Sequence, residues 1–322
     1  MDAIDKKILI ELMKNSKAPI SKIAKIPRLT REIVRHRIPK LIELGFIKSF
    51  IARIHQPYFC AGVANLTLKL INFDSNKHHE IIQQLKHHKK INWISELCGT
   101  VDLMCTILYQ NLDDLSDIIS EITNIAGKNL QDHQLSMYIG EIKFNRIGLI
   151  TENSTPTQTE TEFSKSQSIN LSKEDLIILR ELAKNCRIKN NILSSLAKIS
   201  EDAVRIKIKR LEKIGVIRGY TILLNPASLG YESYQVGIQM EKMNKKTITK
   251  IKHYVNQNPY ITFCVRTSGK YNLMLAIEVK NRTHFKELLQ NLRTSFSEEI
   301  RNYEFQMSLT NHKEVFIPEG FI

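Results

Sequence analysis

The sequence predicts an α+β chain folded as an internal pseudo-dimer, with two winged helix-turn-helix units and two four-stranded βαββαβ domains. Three observations predict it. The stretch Ile4-Asp5-Lys6-Lys7-Ile8-Leu9-Ile10-Glu11-Leu12 returns 170 residues later as Glu174-Asp175-Leu176-Ile177-Ile178-Leu179-Arg180-Glu181-Leu182. The register persists: Val34 meets Val204, Leu41 meets Leu211, Gly45-Phe46-Ile47 meets Gly215-Val216-Ile217, and Gly99 meets Gly269. A duplicated chain can form within itself the self-complementary interface that two subunits would otherwise share. Second, the hydrophobic period in each half changes from helical to strand-like. Third, positive charge gathers at the front of each half, with thirteen Lys/Arg against five Asp/Glu in residues 1–55 and twelve against six in residues 171–225.

Residues 1–55 read as the first helix-turn-helix unit. Ile4, Ile8, Leu9 and Leu12 share one helix face, residues 20–24 support a short second helix, and Thr30 caps a third that runs to Leu44 before Gly45. The strand that follows, 46–51, reads as a wing. Residues 56–150 form a domain with strands over 64–70, 93–98, 103–109 and 131–139 and helices over 78–88 and 112–125. Such a split βαβ order gives an antiparallel sheet with both helices on one face, leaving the other face for its twin. Residues 151–170 are polar and almost without apolar side chains, the composition of a flexible, solvated linker.

The second half repeats the plan. In residues 171–225, Leu176, Ile178, Leu179 and Leu182 mark the first helix, 192–196 the second, and Ser200 caps a third that ends at Gly215, before a strand over 216–221. In residues 226–322, strands over 234–240, 261–267, 273–279 and 301–309 alternate with helices over 247–256 and 282–296.

Composition narrows the function classes. The apolar runs fall well short of the roughly 20 residues a membrane helix needs, so no membrane partner is expected and the chain reads as soluble and cytoplasmic. Cys60, Cys98, Cys105, Cys186 and Cys264 are odd in number and contain no C-x-x-C pair, which encodes neither a disulfide framework nor a thiolate zinc site; buried free thiols are the expectation. His78-His79 and His87-His88 bracket one helix, but adjacent histidines diverge on a helix and no further ligand joins them at metal spacing. No metal and no cofactor are assigned. The net charge of +14, concentrated as it is, suits phosphates, with a solvated lysine-rich face as the plainer alternative.

Asp-x-x-Ile-Leu-x-x-Leu, a helix-turn-helix closed by Gly-Phe/Val-Ile, and a βαββαβ domain with Gly-x-x-Asp before its third strand together resemble the Lrp/AsnC regulators. The residues are Asp5, Ile8, Leu9, Leu12, Val34, Arg37, Leu41, Gly45, Ile47, Gly99 and Asp102, then Asp175, Ile178, Leu179, Leu182, Val204, Lys207, Leu211, Gly215, Ile217, Gly269 and Asn272. The resemblance covers nearly the whole chain, twice. It implies a fused two-subunit transcription regulator whose helix-turn-helix units bind double-stranded DNA. It also implies that the ferredoxin-like C-terminal domains, called RAM domains, build oligomers and hold an amino acid or similar effector.

A recognition helix places its N-terminal residues at base edges and uses basic side chains on phosphates. With Val34, Ile38 and Leu41 inward, Arg31, Glu32, Arg35, His36 and Lys40 point outward; the outward set of the second helix is Glu201, Asp202, Arg205, Ile206, Lys209 and Arg210. Arg35 and its counterpart Arg205 are the guanine-reading candidates, since a guanidinium can bond two acceptors. Arg37 suits a phosphate. The candidate DNA-facing residues are Thr30, Arg31, Arg35, His36, Arg37 and Lys40 in the first unit and Ser200, Arg205, Lys207, Lys209 and Arg210 in the second. Because the two helices differ, an asymmetric site is expected. Pro39, matched by Lys209, removes the donor for the Arg35 carbonyl, predicts a kink costing roughly 3 kcal/mol, and leaves a purely structural first unit as the rival reading.

The resemblance puts effector contacts at Gly99-Thr100-Val101-Asp102 and Gly269-Lys270-Tyr271-Asn272, with Gly99, Thr100, Asp102, Gly269, Lys270 and Asn272 as candidates. A carboxylate at Asp102 could pair an α-ammonium where the Asn272 amide could only hydrogen-bond it. A structural glycine turn fits equally well. The competing class is an enzyme, because siroheme decarboxylases resemble tandem chains of this kind. Tyr271-Asn272-Leu273-Met274 is faintly similar to their pattern, but the stretch 261–268 lacks the expected histidine-tyrosine pair and only Arg266 matches among the basic residues. No catalytic residue is assigned.

Overall fold

The computed structural model describes residues 1–26, 29–72, 74–151, 161–162 and 169–321. Its first half runs α1 (Ala3–Lys14), α2 (Ile20–Ile23), α3 (Arg31–Glu43), β1 (Ile47–Ile54), β2 (Gly62–Leu70), α4 (Ser75–His87), β3 (Ile91–Cys98), β4 (Leu103–Tyr109), α5 (Leu112–Ala126), β5 (Leu130–Phe144) and α6 (Gly148–Thr151). Most of the expected linker lies outside the described residues; Thr151 closes α6, and β6 (Thr161–Glu162) pairs with Gly140 and Glu141. The second half runs α7 (Lys173–Lys184), α8 (Asn190–Ala197), α9 (Glu201–Lys213), β7 (Ile217–Leu224), β8 (Glu232–Met240), α10 (Lys245–Gln257), β9 (Ile261–Ser268), β10 (Leu273–Val279), α11 (Arg282–Ser295) and β11 (Ile300–Glu314).

The strands expected as wings join the halves instead. β1 pairs antiparallel with β7, and Ile51 faces Thr221, its own image in the repeat. A pseudo-two-fold axis therefore crosses this ribbon. The ladder groups of each strand find their partner in the other copy, and the first helix of each half packs on the other half's strand. The contacts come in reciprocal pairs: Ser16 N–H donates to the Tyr220 carbonyl at 3.1 Å and Cys186 N–H to the Phe50 carbonyl at 2.7 Å. Likewise Lys17 lies 4.4 Å from the Tyr220 ring centroid and Arg187 4.0 Å from that of Phe50. These cation-aromatic contacts hold the entry to each second helix against the ribbon.

Each βαββαβ domain forms its own sheet, β3-β4-β2-β5 and β9-β10-β8-β11. The helices cover one face, where Ile81, Leu85, Ile118 and Ile122 meet Leu66, Leu68 and Ile107 in the first copy, while Ile251, Val255, Phe285 and Leu292 meet Val236, Ile238 and Leu275 in the second. The expected meeting of free faces occurs, but the edges also join. β5 pairs with β2 up to Met137 and then with β9 from Met137 to Phe144, and β11 does the same with β8 and β3. The eight strands close into a ring. The expected ends at 139 and 309 fall five residues short on each side, because Gly140 and the charged residues near it resemble a strand end while in fact giving β9 and β3 the partner that an edge strand needs. Inside the ring, Leu97, Met104, Val265 and Met274 are buried beside Trp93, Tyr138 and Phe263.

Four of the five cysteines are buried as expected; Cys98, at the end of β3, is exposed. No helix among the described residues is long and apolar enough to cross a membrane.

Candidate DNA interface and ligand cavities

In both copies the helix-turn-helix is fixed by a charged knot at the start of its first helix. Asp2 and Asp5 cap α1 reciprocally, and Arg37 reaches back from α3 to Asp2 at 2.7 Å and Asp5 at 3.2 Å. Ser172 and Asp175 cap α7 in the same way, with Lys207 3.0 Å and Arg210 3.3 Å from the fully buried Asp175. The aligned N–H groups of a first helical turn favour such carboxylates. Arg37 and Lys207 are thus engaged inside the protein, and each orients its third helix against the first. Thr30 and Ser200 cap those third helices, accepting from Ile33 N–H and Ala203 N–H, each at 3.2 Å.

The outward faces fall where the helical period puts them. Val34, Ile38 and Leu41 are buried, as are Val204, Ile208 and Leu211. Arg31, Arg35, His36 and Lys40 are exposed and make no hydrogen bond or ion pair among the described residues. α9 differs. Arg205 pairs with Asp202 at 2.7 Å and Glu201 at 3.7 Å, Arg210 leans on Asp175, Lys209 is exposed, and Ile206 is 67% exposed. Helix α3 continues through Pro39 to Glu43, with the proline on its exposed side, where water can satisfy the Arg35 carbonyl.

At the end of the ring that carries the two Gly-x-x-Asp/Asn turns there is a cleft of about 310 Å³. It is one shared cleft rather than two pockets. Thr100 and Val101 line it from one turn and Lys270 and Tyr271 from the other, together with Glu304 and Gln306. Lys270 pairs with Glu304 at 2.8 Å, Gln306 donates to the Thr100 hydroxyl at 2.8 Å, and the buried Gln306 Oε1 has no partner among the described residues. Burial pushes the Tyr271 phenol up to about 12.

Asp102 and Asn272 do not line this cleft. Asp102 accepts from Leu70 N–H at 2.7 Å and from Lys69 at 3.2 Å; Asn272 accepts from Met240 N–H and donates to the Met240 carbonyl, both at 2.8 Å. Leu70 and Met240 are images of one another, so both side chains clamp the end of the domain's first strand. The exchange of acid for amide is tolerated because the amide supplies its own donor where the acid uses a lysine. Gly99 and Gly269, at φ +150° and +146°, turn the backbone close against the opposite copy.

Toward the helix-turn-helix end, a second cavity of about 200 Å³ lies between the ring and the β1/β7 ribbon. Arg53 and Arg218 reach it from the ribbon, and Trp93, Tyr138, Phe144 and Phe263 reach it from the ring. Burial raises the Glu141 carboxyl beside the two arginines to about 7, against their pull, and lowers His55 to about 4. No sequence signal marks this cavity, because its charged residues sit singly in otherwise apolar strands.

The histidines flanking α4 make separate contacts: His78 with Glu96 at 3.2 Å, His88 with Glu121 at 2.8 Å, and His87 with the Gln83 carbonyl at 2.7 Å. No group of three metal-ligating side chains occurs among the described residues.

Comparison with known proteins matches this geometry to named families. The AsnC-type helix-turn-helix domain matches residues 1–42, the winged helix-turn-helix DNA-binding family residues 171–218, and the Lrp/AsnC ligand binding domain residues 233–316. The HTH-type transcriptional regulator FL11 of Pyrococcus horikoshii is 32% identical over 127 residues, 39% of this chain and 83% of that protein. Transcriptional regulator AzlB of Bacillus subtilis is 27% identical over 122 residues, 38% of this chain and 78% of that one. Among solved structures, the siroheme decarboxylase NirDL superposes with a TM-score of 0.65 at 14% identity, over 98% of this chain and 94% of its own. That likeness extends over the tandem arrangement and is one of fold.

Proposed function

Because this chain belongs to the Lrp/AsnC family of transcriptional regulators, we propose that it reads double-stranded DNA as a fused dimer, with two unequal recognition helices on one asymmetric site. The observation that carries this is the pair of exposed arginines, Arg35 and Arg205, at the same position of two helices related by the pseudo-two-fold axis of the ribbon. Antiparallel pairing puts the starts of β1 and β7 at opposite ends of the ribbon, about 24 Å apart at 3.4 Å per residue. The recognition helices that lead into them are therefore held apart, as two half-sites require. Lys40 and Lys209 are suited to phosphates, and exposed Ile206, at the position of His36, to a thymine methyl group.

The two arginines differ in effect. Arg35 faces solvent without a partner among the described residues, whereas Arg205 must release surface pairs with Glu201 and Asp202 worth about 0–1 kcal/mol. Arg35→Ala is expected to weaken binding to a selected site by about 2–3 kcal/mol and Arg205→Ala by about 1–2 kcal/mol, each relaxing base preference at a different position. Equilibrium titration of one DNA fragment with each variant checks this. Unchanged affinity in Arg35→Ala would reduce the first unit to a structural role.

The shared cleft is our choice for an amino-acid-like effector. Glu304 could hold an ammonium, Lys270 a carboxylate, and the unpartnered Gln306 Oε1 a further donor. A screen of the free amino acids is expected to find one that raises Tm and shifts DNA affinity, both effects being lost in Lys270→Gln. A screen with no response in either readout removes the effector from the proposal.

A further inference from the structure

The cavity beneath the ribbon plays no part in the DNA-reading proposal. We propose that it binds a small aromatic monocarboxylate, the carboxylate held by Arg53 and Arg218 and the ring by Trp93, Phe144 and Phe263. Its volume of about 200 Å³ is many times the roughly 10–15 Å³ that a single water needs, so it admits an aromatic ring with a short acid chain. Aromatic walls and the Met104 and Met274 thioethers offer a planar apolar slot, and the arginines offer the paired donors that a carboxylate takes.

The lining leaves Arg53 open to an anion. Arg146 is matched by Glu278 at 3.4 Å and Glu314 at 3.9 Å. Glu141 lies beside Arg53 and Arg218, and the half-buried Arg53 makes no hydrogen bond or ion pair among the described residues. Two further buried polar atoms in the lining, His55 Nδ1 and Asn92 Oδ1, have no partner among the described residues. Buried polar groups are seldom left so.

The site exists once, although the fold repeats. At the image positions Arg53 is replaced by Leu223, Arg218 by Lys48 and Glu141 by Asn311. Lys48 is already paired with Glu314 at 3.6 Å. The charge set comes from positions where the copies differ, so pseudo-symmetric packing does not explain it. Its roof is made by the strands that follow the recognition helices, so a ligand there would tie the ring to the DNA-reading units.

The test is calorimetric titration of the full-length protein with benzoate, 4-hydroxybenzoate and phenylpyruvate, with benzamide as the uncharged control. At least one acid should bind, with benzamide at least tenfold weaker. Arg53→Met and Arg218→Gln should each weaken that acid at least tenfold, Arg53→Lys less than Arg53→Met, and Glu141→Gln should tighten it several-fold by removing the competing carboxylate. Opposite signs at Arg53 and Glu141 separate ligand contact from loss of folding. Equal binding of benzamide, retained affinity in both arginine variants, or no acid binding more tightly than about 10 mM overturns the proposal.

Discussion

Asp175→Ala lowers the unfolding free energy by about 3–4 kcal/mol, roughly twice the loss from Asp5→Ala. Asp175 has a fully buried side chain that closes the α7 cap and faces both Lys207 and Arg210; removing it leaves two cations turned inward and the Ser172 N–H without its acceptor. Asp5 is 11% exposed, faces Arg37 alone, and shares that arginine with Asp2. Burial opposes the Asp175 charge, but the Ser172 N–H and the Lys207 ammonium outweigh it and hold the carboxyl below its usual 3.8. A depressed carboxylate stabilises the fold above its unfolded value and loses that contribution as pH falls through the folded one. The difference between Asp175→Ala and the parent should therefore narrow below about pH 4. Urea unfolding at pH 7 and pH 3 reads both effects, and equal losses for the two aspartates at pH 7 would contradict the account.

The second large effect is at the ring closure. A Cβ on Gly269 would lie 2.6 Å from the Leu135 carbonyl and 3.2 Å from Ser136 Cα, at φ +146°. Gly269→Ala should cost about 3–5 kcal/mol, since backbone must move and the conformation itself is strained for any side chain. Gly99→Ala is expected to cost less, about 1–3 kcal/mol, because its nearest neighbour at 3.1 Å is Oε1 of Gln306, the end of a flexible chain. Tm and urea midpoints of the two variants decide it. A larger loss at Gly99 would mean that the two turns do not meet the opposite copy as described.

What the sequence made legible followed from period and offset. Apolar positions at i, i+3 and i+4 marked the helices of both DNA-reading units, and the 170-residue register related the two copies. Long-range pairing was not legible. Nothing local says that β1 and β7 find each other rather than folding back as wings, because the register of two strands so far apart is decided by how the helices pack. The extra length of β5 and β11 was hidden for a related reason. Gly140, Glu141 and Lys143 look like a strand end, yet they cross to the other copy, where buried Lys143 donates to the Val255 carbonyl at 2.6 Å and the Asn258 carbonyl at 2.7 Å beyond the last turn of α10. Charged residues were the hardest to read. Asp102 suggested a ligand group and forms a strand clamp; Arg53 and Glu141 suggested nothing and line a cavity.

We propose that the fused chain reads a defined, asymmetric DNA sequence. Its most direct test is binding of genomic fragments by the full-length protein at low and at physiological salt, with the retained fragments sequenced, because phosphate contacts alone give affinity that fades with salt and carries no sequence information. A motif that survives the higher salt and has two dissimilar half-sites is the expected result. Uniform binding to all fragments that vanishes with salt would contradict it.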